Sequence, residues 1–293
     1  MIKEGLIIKL LGGIYFVEAS DVVYECKAKG VFRNRNLSPV CGDWVEIQIT
    51  DGETPVISKV FDRKSLIIRP QLANLDYLVL VNSVCEPSPN LLLIDKFIAI
   101  AEYKGIEPVV VFTKTDKKSE EELVSIYKNV GISVFAVDNT TGQGCEELKE
   151  ILSGKLSAFT GNTGVGKSSL LNNLFPDLNL DTGEISKKLG RGKHTTRHVE
   201  LFKLHDGGYV ADTPGFSSFD TNKYDIIFKD ELASCFREFS GFTGKCKFQD
   251  CNHIREPGCE IIRAVNDGII SKSRHENYVK MFEEAKNLKE WEH

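Results

Sequence analysis

At 293 residues the chain is long enough for two or three separately packed domains, since one hydrophobic core serves about 100 to 200 residues. Its 41% hydrophobic and 27% charged residues exclude a disordered or fibrous chain, and no apolar run approaches the roughly 20 residues needed to span a bilayer. A formal net charge of −5 excludes a uniformly basic nucleic-acid coat, so any RNA contact has to be regional.

The N-terminal stretch "MIKEGLIIKLLGGIYFVEASD" has short apolar runs broken by Lys9 and Glu18, without the long apolar region and small-residue cleavage site of an export signal. A cytoplasmic protein is expected. Residues 1–68 hold the β-rich segments "LIIKLLGGIYFVEA", "VVYECKAKGVF" and "DWVEIQI" between Gly, Asp and Asn turns, and five or so short strands predict a small barrel such as an oligonucleotide-binding (OB) fold. Such a pattern serves a purely structural β-domain equally well. Lys27, Lys29, Arg33 and Arg35, on or near one loop, tilt it toward RNA.

From about residue 75 strands alternate with helices: "DYLVLVNS" as a buried strand, "LLLIDKFIAIAEYKG" as a helix closed by glycine, and "EPVVVFTKTD" as strand then loop. A helix is expected from Ser119 to about Asn129, then the strand "GISVFAVD", the helix "GCEELKEILSG", and "LSAFTGNTGVGKSSLLNNLF" as strand, glycine loop and helix. These crossovers predict a parallel sheet with helices on both faces over residues 69–221.

Gly161-x4-Gly166-Lys167-Ser168, between an apolar strand and a helix, has the phosphate-loop spacing. Its glycines let backbone N–H groups turn toward the α- and β-phosphates, Lys167 reaches the β/γ oxygens, and the Ser168 hydroxyl joins a Mg²⁺ shell. Asn162, Thr163, Gly164, Val165 and Ser169 complete the stretch expected to contact nucleotide. Asp212 of "ADTPG" can hold Mg²⁺ through water, and the Gly215 N–H can bond the γ-phosphate. The basic stretch "KKLGRGKHTTRHVEL", residues 187–201, is either a solvated loop or a phosphate contact; Thr195 or Thr196 can complete the Mg²⁺ shell.

Thr113-Lys114-x-Asp116 stands at a strand end, where the ligand crevice of an open α/β sheet lies. The Asp116 carboxylate can accept from guanine N1–H and the exocyclic amine, a donor pair that adenine lacks, and Lys114 can pack on the base. GTP is therefore expected rather than ATP, and an ATP-dependent phosphotransferase is disfavoured. The loop "VDNTTGQG", residues 137–144, stands where the base is usually backed, with Asp138-Asn139 in place of the common Ser-Ala pair.

Further on, Cys246-x4-Cys251-x-His253-x5-Cys259 gathers three thiols and an imidazole, a donor set suited to one tetrahedral structural Zn²⁺. Residues 222–293 read as short helices around this knot with an amphipathic helix from about Ser273 to Glu290. With little apolar core, such a domain draws stability on the order of 10 kcal/mol from its metal. Cys26, Cys41, Cys85, Cys145 and Cys235 are expected to be packing residues, and His198 and His205 to lack a special role.

The parts of a GTPase are present in rotated order, with base reader before phosphate loop. Together with "GDWVEI", "RPQLANLD", "FTKTD", "GNTGVGKSSL", "GRGKHTTRHVEL", "DTPGF" and "CKFQDCNHIREPGC", they make the whole chain resemble the ribosome small-subunit-dependent GTPase A family of circularly permuted GTPases. The resemblance implies an OB-fold β-barrel, a circularly permuted P-loop GTPase domain and a C-terminal helical zinc-binding domain. It implies GTP hydrolysis with Mg²⁺, partnership as a monomer with the 30S ribosomal subunit and its 16S rRNA, a role in late subunit maturation, and a catalytic role for His194 beside Lys167 and Thr196. Phe216 follows Gly215 where Ras-like enzymes carry a water-orienting glutamine, so slow turnover is expected until a partner arranges the site. A GTP-controlled RNA-binding module with incidental hydrolysis is the alternative of a different class.

Overall fold

The computed structural model describes residues 1–30, 32, 38–176, 199–205, 207–212, 226–286 and 288, with Asp212 described through its backbone. Five strands, β1 (Ile2–Leu11), β2 (Ile14–Ala19), β3 (Val22–Ala28), β4 (Trp44–Gln48) and β5 (Val56–Val60), pair in the order β1-β2-β3-β5-β4 and close through β1–β4. Closure removes the open edges of the sheet, and this β3–β5 parallel pairing is the OB arrangement. Within the barrel β1 serves two partners, pairing with β4 over Ile2–Leu6 and with β2 from Leu6 to Leu11, and Gly5 lies beside the crossover between them. Any Cβ there would meet the Glu18 carbonyl oxygen at 2.5 Å, so only glycine allows β2 to lie this close. Ile7, Val17, Cys26, Val45, Ile47 and Ile57 fill the interior.

A small hairpin, β6 (Leu66–Ile67) with β7 (Leu72–Ala73), leads out of the barrel. The buried Asp43 carboxylate takes both Nε and Nη2 of Arg63 at 2.7 Å, and Asn74 Nδ2 donates to the Gly42 carbonyl at 2.8 Å. The quoted "GDW" and "LAN" stretches thus build the joint between barrel and sheet.

The second layer system is an open sheet in the order β10 (Ser133–Val137), β9 (Glu107–Thr113), β8 (Tyr77–Ser83), β11 (Leu156–Thr160), β13 (Tyr209–Asp212), β12 (Glu200–Lys203). The first five run parallel and β12 antiparallel. Leu78 and Leu80 of β8 pack on one face, Val79 and Val81 on the other, as a doubly covered parallel strand requires. The covering helices are α1 (Leu91–Tyr103), α2 (Glu121–Lys128), α3 (Cys145–Leu152) and α4 (Lys167–Leu174). α2 starts two residues later than Ser119, whose hydroxyl accepts from the Glu121 N–H at 3.5 Å.

The C-terminal unit holds α5 (Lys229–Leu232), two 3₁₀ turns (Ala233–Cys235 and Arg237–Phe239), α6 (Glu260–Asn266) and α7 (Lys272–Ala285). Its core is more substantial than the sequence suggests. Phe236 stacks on Phe239 at 5.2 Å, Tyr278 packs edge-on against both, and Ala99 and Ile100 of α1 join the same cluster. α1 is therefore shared: Ile94, Phe97 and Ile98 face the sheet, while Ala99 and Ile100 face the C-terminal unit. Cys26, Cys41, Cys145 and Cys235 are buried packing residues, Cys85 is half-buried, and His205 is exposed. Among the described residues no helix is long and apolar enough to cross a membrane.

Candidate nucleotide site and metal centre

Parallel strands carry their C-terminal ends to one edge, so the loops after β11, β9 and β10 meet there although they are distant in sequence. After β11 the chain turns at Gly161, packed so close to the Val81 carbonyl that a side chain has no room. Gly164 and Gly166 have φ of +81° and +89°, the left-handed region that favours glycine. Val165 between them is buried and anchors the loop in the core. α4 then begins at Lys167 with no acidic residue in its first turn, leaving the positive end of the helix for an anion. Asn162, Thr163 and Gly164 are exposed on the loop, and Lys167, Ser168 and Ser169 are half-buried behind it.

The stretch from Thr113 to Asp116, expected to read the base, is stitched to this loop by side chains. Thr113 Oγ1 donates to the Val165 carbonyl, with the Asn82 carbonyl also within reach at 3.2 Å. Lys114, at φ +62°, donates from Nζ to the carbonyls of Gly164 (2.8 Å) and Glu86. Asp116 is exposed at the mouth, so its carboxylate loses water only when a ligand arrives.

The 137–144 loop has a role that its sequence only hinted at. The Asp138 carboxylate accepts from the Thr140 N–H (2.8 Å) and Thr141 hydroxyl (2.7 Å), which hold it below the usual carboxylate range, the Thr141 bond first. Asn139 Nδ2 then donates to the Gly166 carbonyl at 3.0 Å, and Asn173 of α4 donates to the Asn139 carbonyl at 2.9 Å. Asp138 shapes the turn and Asn139 ties it to the phosphate loop; replacement of the common Ser-Ala pair was the available signal. His194, Thr195, Thr196, Gly215, Phe216 and the Asp212 side chain lie outside the described residues.

Cys246, Cys251, His253 and Cys259 converge, their donor atoms all within 4.8 Å of one another. The Cys246 and Cys259 sulfurs are 3.9 Å apart, and His253 Nδ1 lies 3.6 and 3.4 Å from them. A tetrahedron with metal–sulfur bonds of about 2.3 Å has edges of about 3.8 Å, so the four donors fit one metal ion. Without a cation, burial and neighbouring thiols push Cys251 up to about 12. Glu256 organises the ligand loop. Burial opposes its charge, but the N–H groups of Arg255, Glu256, Ile254 and Asn252 hold it down to about 2. His253 is fixed by His275, whose Nε2 lies 2.7 Å from its carbonyl oxygen, and by the Phe239 ring at 6.1 Å.

Comparison with known proteins agrees with this geometry over the whole chain. The family described as RsgA GTPase matches residues 60–222, and the RsgA N-terminal domain matches residues 4–57. The chain belongs to the RsgA GTPase family. It is 43% identical to the small ribosomal subunit biogenesis GTPase RsgA of Alkaliphilus metalliredigens, over 97% of this chain and 98% of that protein. Against the Streptococcus pneumoniae protein of that name it is 41% identical over 98% of this chain and 96% of the other. Among solved structures, YjeQ from Thermotoga maritima superposes with a TM-score of 0.85 at 38% identity, covering 99% of this chain and all (100%) of that one. YloQ, described as a circularly permuted GTPase, superposes with a TM-score of 0.80 at 32% identity, covering 99% and 96%. Like other members of the RsgA family, the chain is a circularly permuted, GTP-hydrolysing enzyme. As a GTPase it uses Mg²⁺ with its nucleotide, and its Cys/His cluster can hold a metal ion.

Proposed function

We propose that this enzyme acts in biogenesis of the small ribosomal subunit, binding the 30S particle late in its maturation and hydrolysing GTP faster there than alone. One observation carries the reading: in a chain of this family, the phosphate loop and Thr113-Lys114-x-Asp116 meet at one sheet edge, joined through Val165. In this reading Asp116 and Lys114 read guanine, and Thr113 sets their loop. Backbone from Gly161 through Gly166, with Lys167, Ser168 and Ser169, holds the phosphates. Ser168, Asp212 and Thr195 or Thr196 serve Mg²⁺, and Gly215 senses the γ-phosphate. His194 assists the attack on it. Bound Mg²⁺ neutralises charge that develops on the β- and γ-oxygens.

The barrel, residues 1–68, and the C-terminal unit, residues 222–293, flank the GTPase domain, residues 69–221, and meet 16S rRNA. Cys246, Cys251, His253 and Cys259 hold a structural Zn²⁺ whose filled shell leaves no open position for catalysis. The protein works in the cytoplasm as a monomer. GTP turnover measured with and without purified 30S subunits tests the reading. Stimulation on the subunit is expected, and intact GTP after long incubation with 30S particles would favour an RNA-binding module with incidental hydrolysis.

A further inference from the structure

The barrel and the nucleotide-binding sheet form one hydrogen-bonded surface. β12 is the outermost strand of that sheet, and its outer edge pairs with β1 of the barrel at Lys9↔Glu200. An edge strand usually ends a sheet with unpaired backbone groups; here β1 of the barrel pairs with it at Glu200. Register aligns one residue from each of five strands: Glu25 (β3), Phe16 (β2), Lys9 (β1), Glu200 (β12) and Asp212 (β13). The row thus runs from the barrel wall to the backbone of Asp212.

Side chains follow the same row. Lys9 Nζ donates to both carboxylate oxygens of Glu200 at 2.9 Å and lies 5.9 Å from the Phe16 ring centroid. A second clasp stands at the other end of β12. There Lys203 bonds Glu18 and Asp21 of the barrel, the latter at 2.7 Å, and the Tyr209 hydroxyl of β13 donates to Glu18 at 3.3 Å.

The opposite joint has a different character. Between α1 and the C-terminal unit, Arg274 is sunk between Asp95 (2.6 Å) and Glu238 (2.8 Å), all at most 5% exposed. Breaking such a buried cluster is far costlier than shifting a pair like Lys9–Glu200, where each side chain is 30% exposed. Of the contacts across the barrel joint, the part-exposed Lys9–Glu200 pair, rather than the buried Asp43–Arg63 pair, is therefore one that a modest force at the nucleotide site can move.

We infer that Lys9 and Glu200 are positioning residues that link the barrel's contact with RNA to the nucleotide site through β1, β12 and β13. The RNA end of this link rests on the function proposed above; the link itself does not. By reciprocity, the nucleotide state shifts the barrel as much as barrel contacts shift the nucleotide site.

Full-length Lys9→Met, Glu200→Gln and the charge-exchanged Lys9→Glu/Glu200→Lys protein test it, each first checked for an unchanged melting profile. Intrinsic GTP turnover and GDP affinity stay within about twofold of the parent protein, since a part-exposed ion pair contributes little to folding. Stimulation by 30S subunits falls about three- to fivefold in the single variants, the range such a pair can carry, and recovers in the charge-exchanged protein. Without ribosomes, hydrogen exchange of β1 and β2 amides differs between GDP and a non-hydrolysable GTP analogue in the parent protein and ceases to differ in Lys9→Met.

Single variants stimulated like the parent overturn the inference, as does a loss that charge exchange fails to restore. Identical exchange of the parent in both nucleotides overturns it while leaving 30S-stimulated hydrolysis standing. Nucleotide-dependent exchange in a parent that 30S subunits do not stimulate has the converse meaning: the link stands and the proposed function falls.

Discussion

In the proposed function, guanine selectivity rests on a carboxylate that stays in water until the base arrives. Asp116 is exposed, so its two acceptor oxygens are paired or left unpaired by the choice of ligand. Asp116→Asn exchanges an acceptor for a donor and should move preference from guanine toward xanthine nucleotide, read by competition binding; retained guanine preference would refute the assignment. Asn139 acts one step back, holding the Gly166 carbonyl. Asn139→Ala removes a bond worth about 1 kcal/mol, so GDP affinity should fall roughly fivefold by calorimetric titration, with no change in base preference. An altered base preference would instead put Asn139 in contact with the base.

Local elements show where metal and packing divide the work. The loop from Cys246 to Cys259 is short, and it is ordered by its four donors and the Glu256 contacts together with single bonds from Tyr278 to the Asn252 carbonyl and from His275 to the His253 carbonyl. α7, by contrast, presents Tyr278, Met281 and Phe282 to an aromatic core that includes Phe236 and Phe239. Metal removal by a chelator should therefore raise hydrogen exchange across residues 246–259 while α7 stays protected. Loss of protection in α7 as well would mean that the metal, rather than the core, holds the unit together. That outcome is the one expected from a domain with little apolar core, and Phe236, Phe239 and Tyr278 argue against it.

Across the whole molecule, each outer unit is attached through both a buried and a part-exposed ion pair. The barrel shares a sheet edge, the part-exposed Lys9–Glu200 pair and the buried Asp43 carboxylate with Arg63; the C-terminal unit has Lys96–Glu284 and the deeper cluster in which Arg274 meets Asp95 and Glu238, with Asn277 also donating to Asp95 at 2.6 Å. Burial pushes the Asp95 carboxyl above its usual range against the pull of Arg274. A carboxyl that holds its proton more tightly in the folded chain adds stability at low pH and loses it as pH rises through the folded value, here upward from about 3.9. Arg274→Met removes the opposing charge and should cost about 3 to 5 kcal/mol at pH 8. The loss should be smaller at pH 5, and adding Asp95→Asn should recover much of it at pH 8. Urea unfolding at the two pH values measures this; a pH-independent loss would show that packing around Arg274, rather than its charge, matters.

The sequence alone determined what depends on local chemistry and spacing. Gly164 and Gly166 must adopt positive φ, Lys167 and Ser168 must follow them at a helix start, and three thiols with an imidazole within 14 residues must find one another because the chain between them is short. The rotated order of "FTKTD" and "GNTGVGKSS" was legible for the same reason, since each motif keeps its meaning wherever the chain is cut. Only the tertiary structure decided what depends on partners distant in sequence. Nothing near Lys9 announces Glu200, nothing near Asp95 announces Arg274, and Asn139 has a purpose only once parallel strands bring Gly166 beside it. Pairing across a sheet or a buried joint is fixed by register and burial over the whole chain, and these are written in no local stretch.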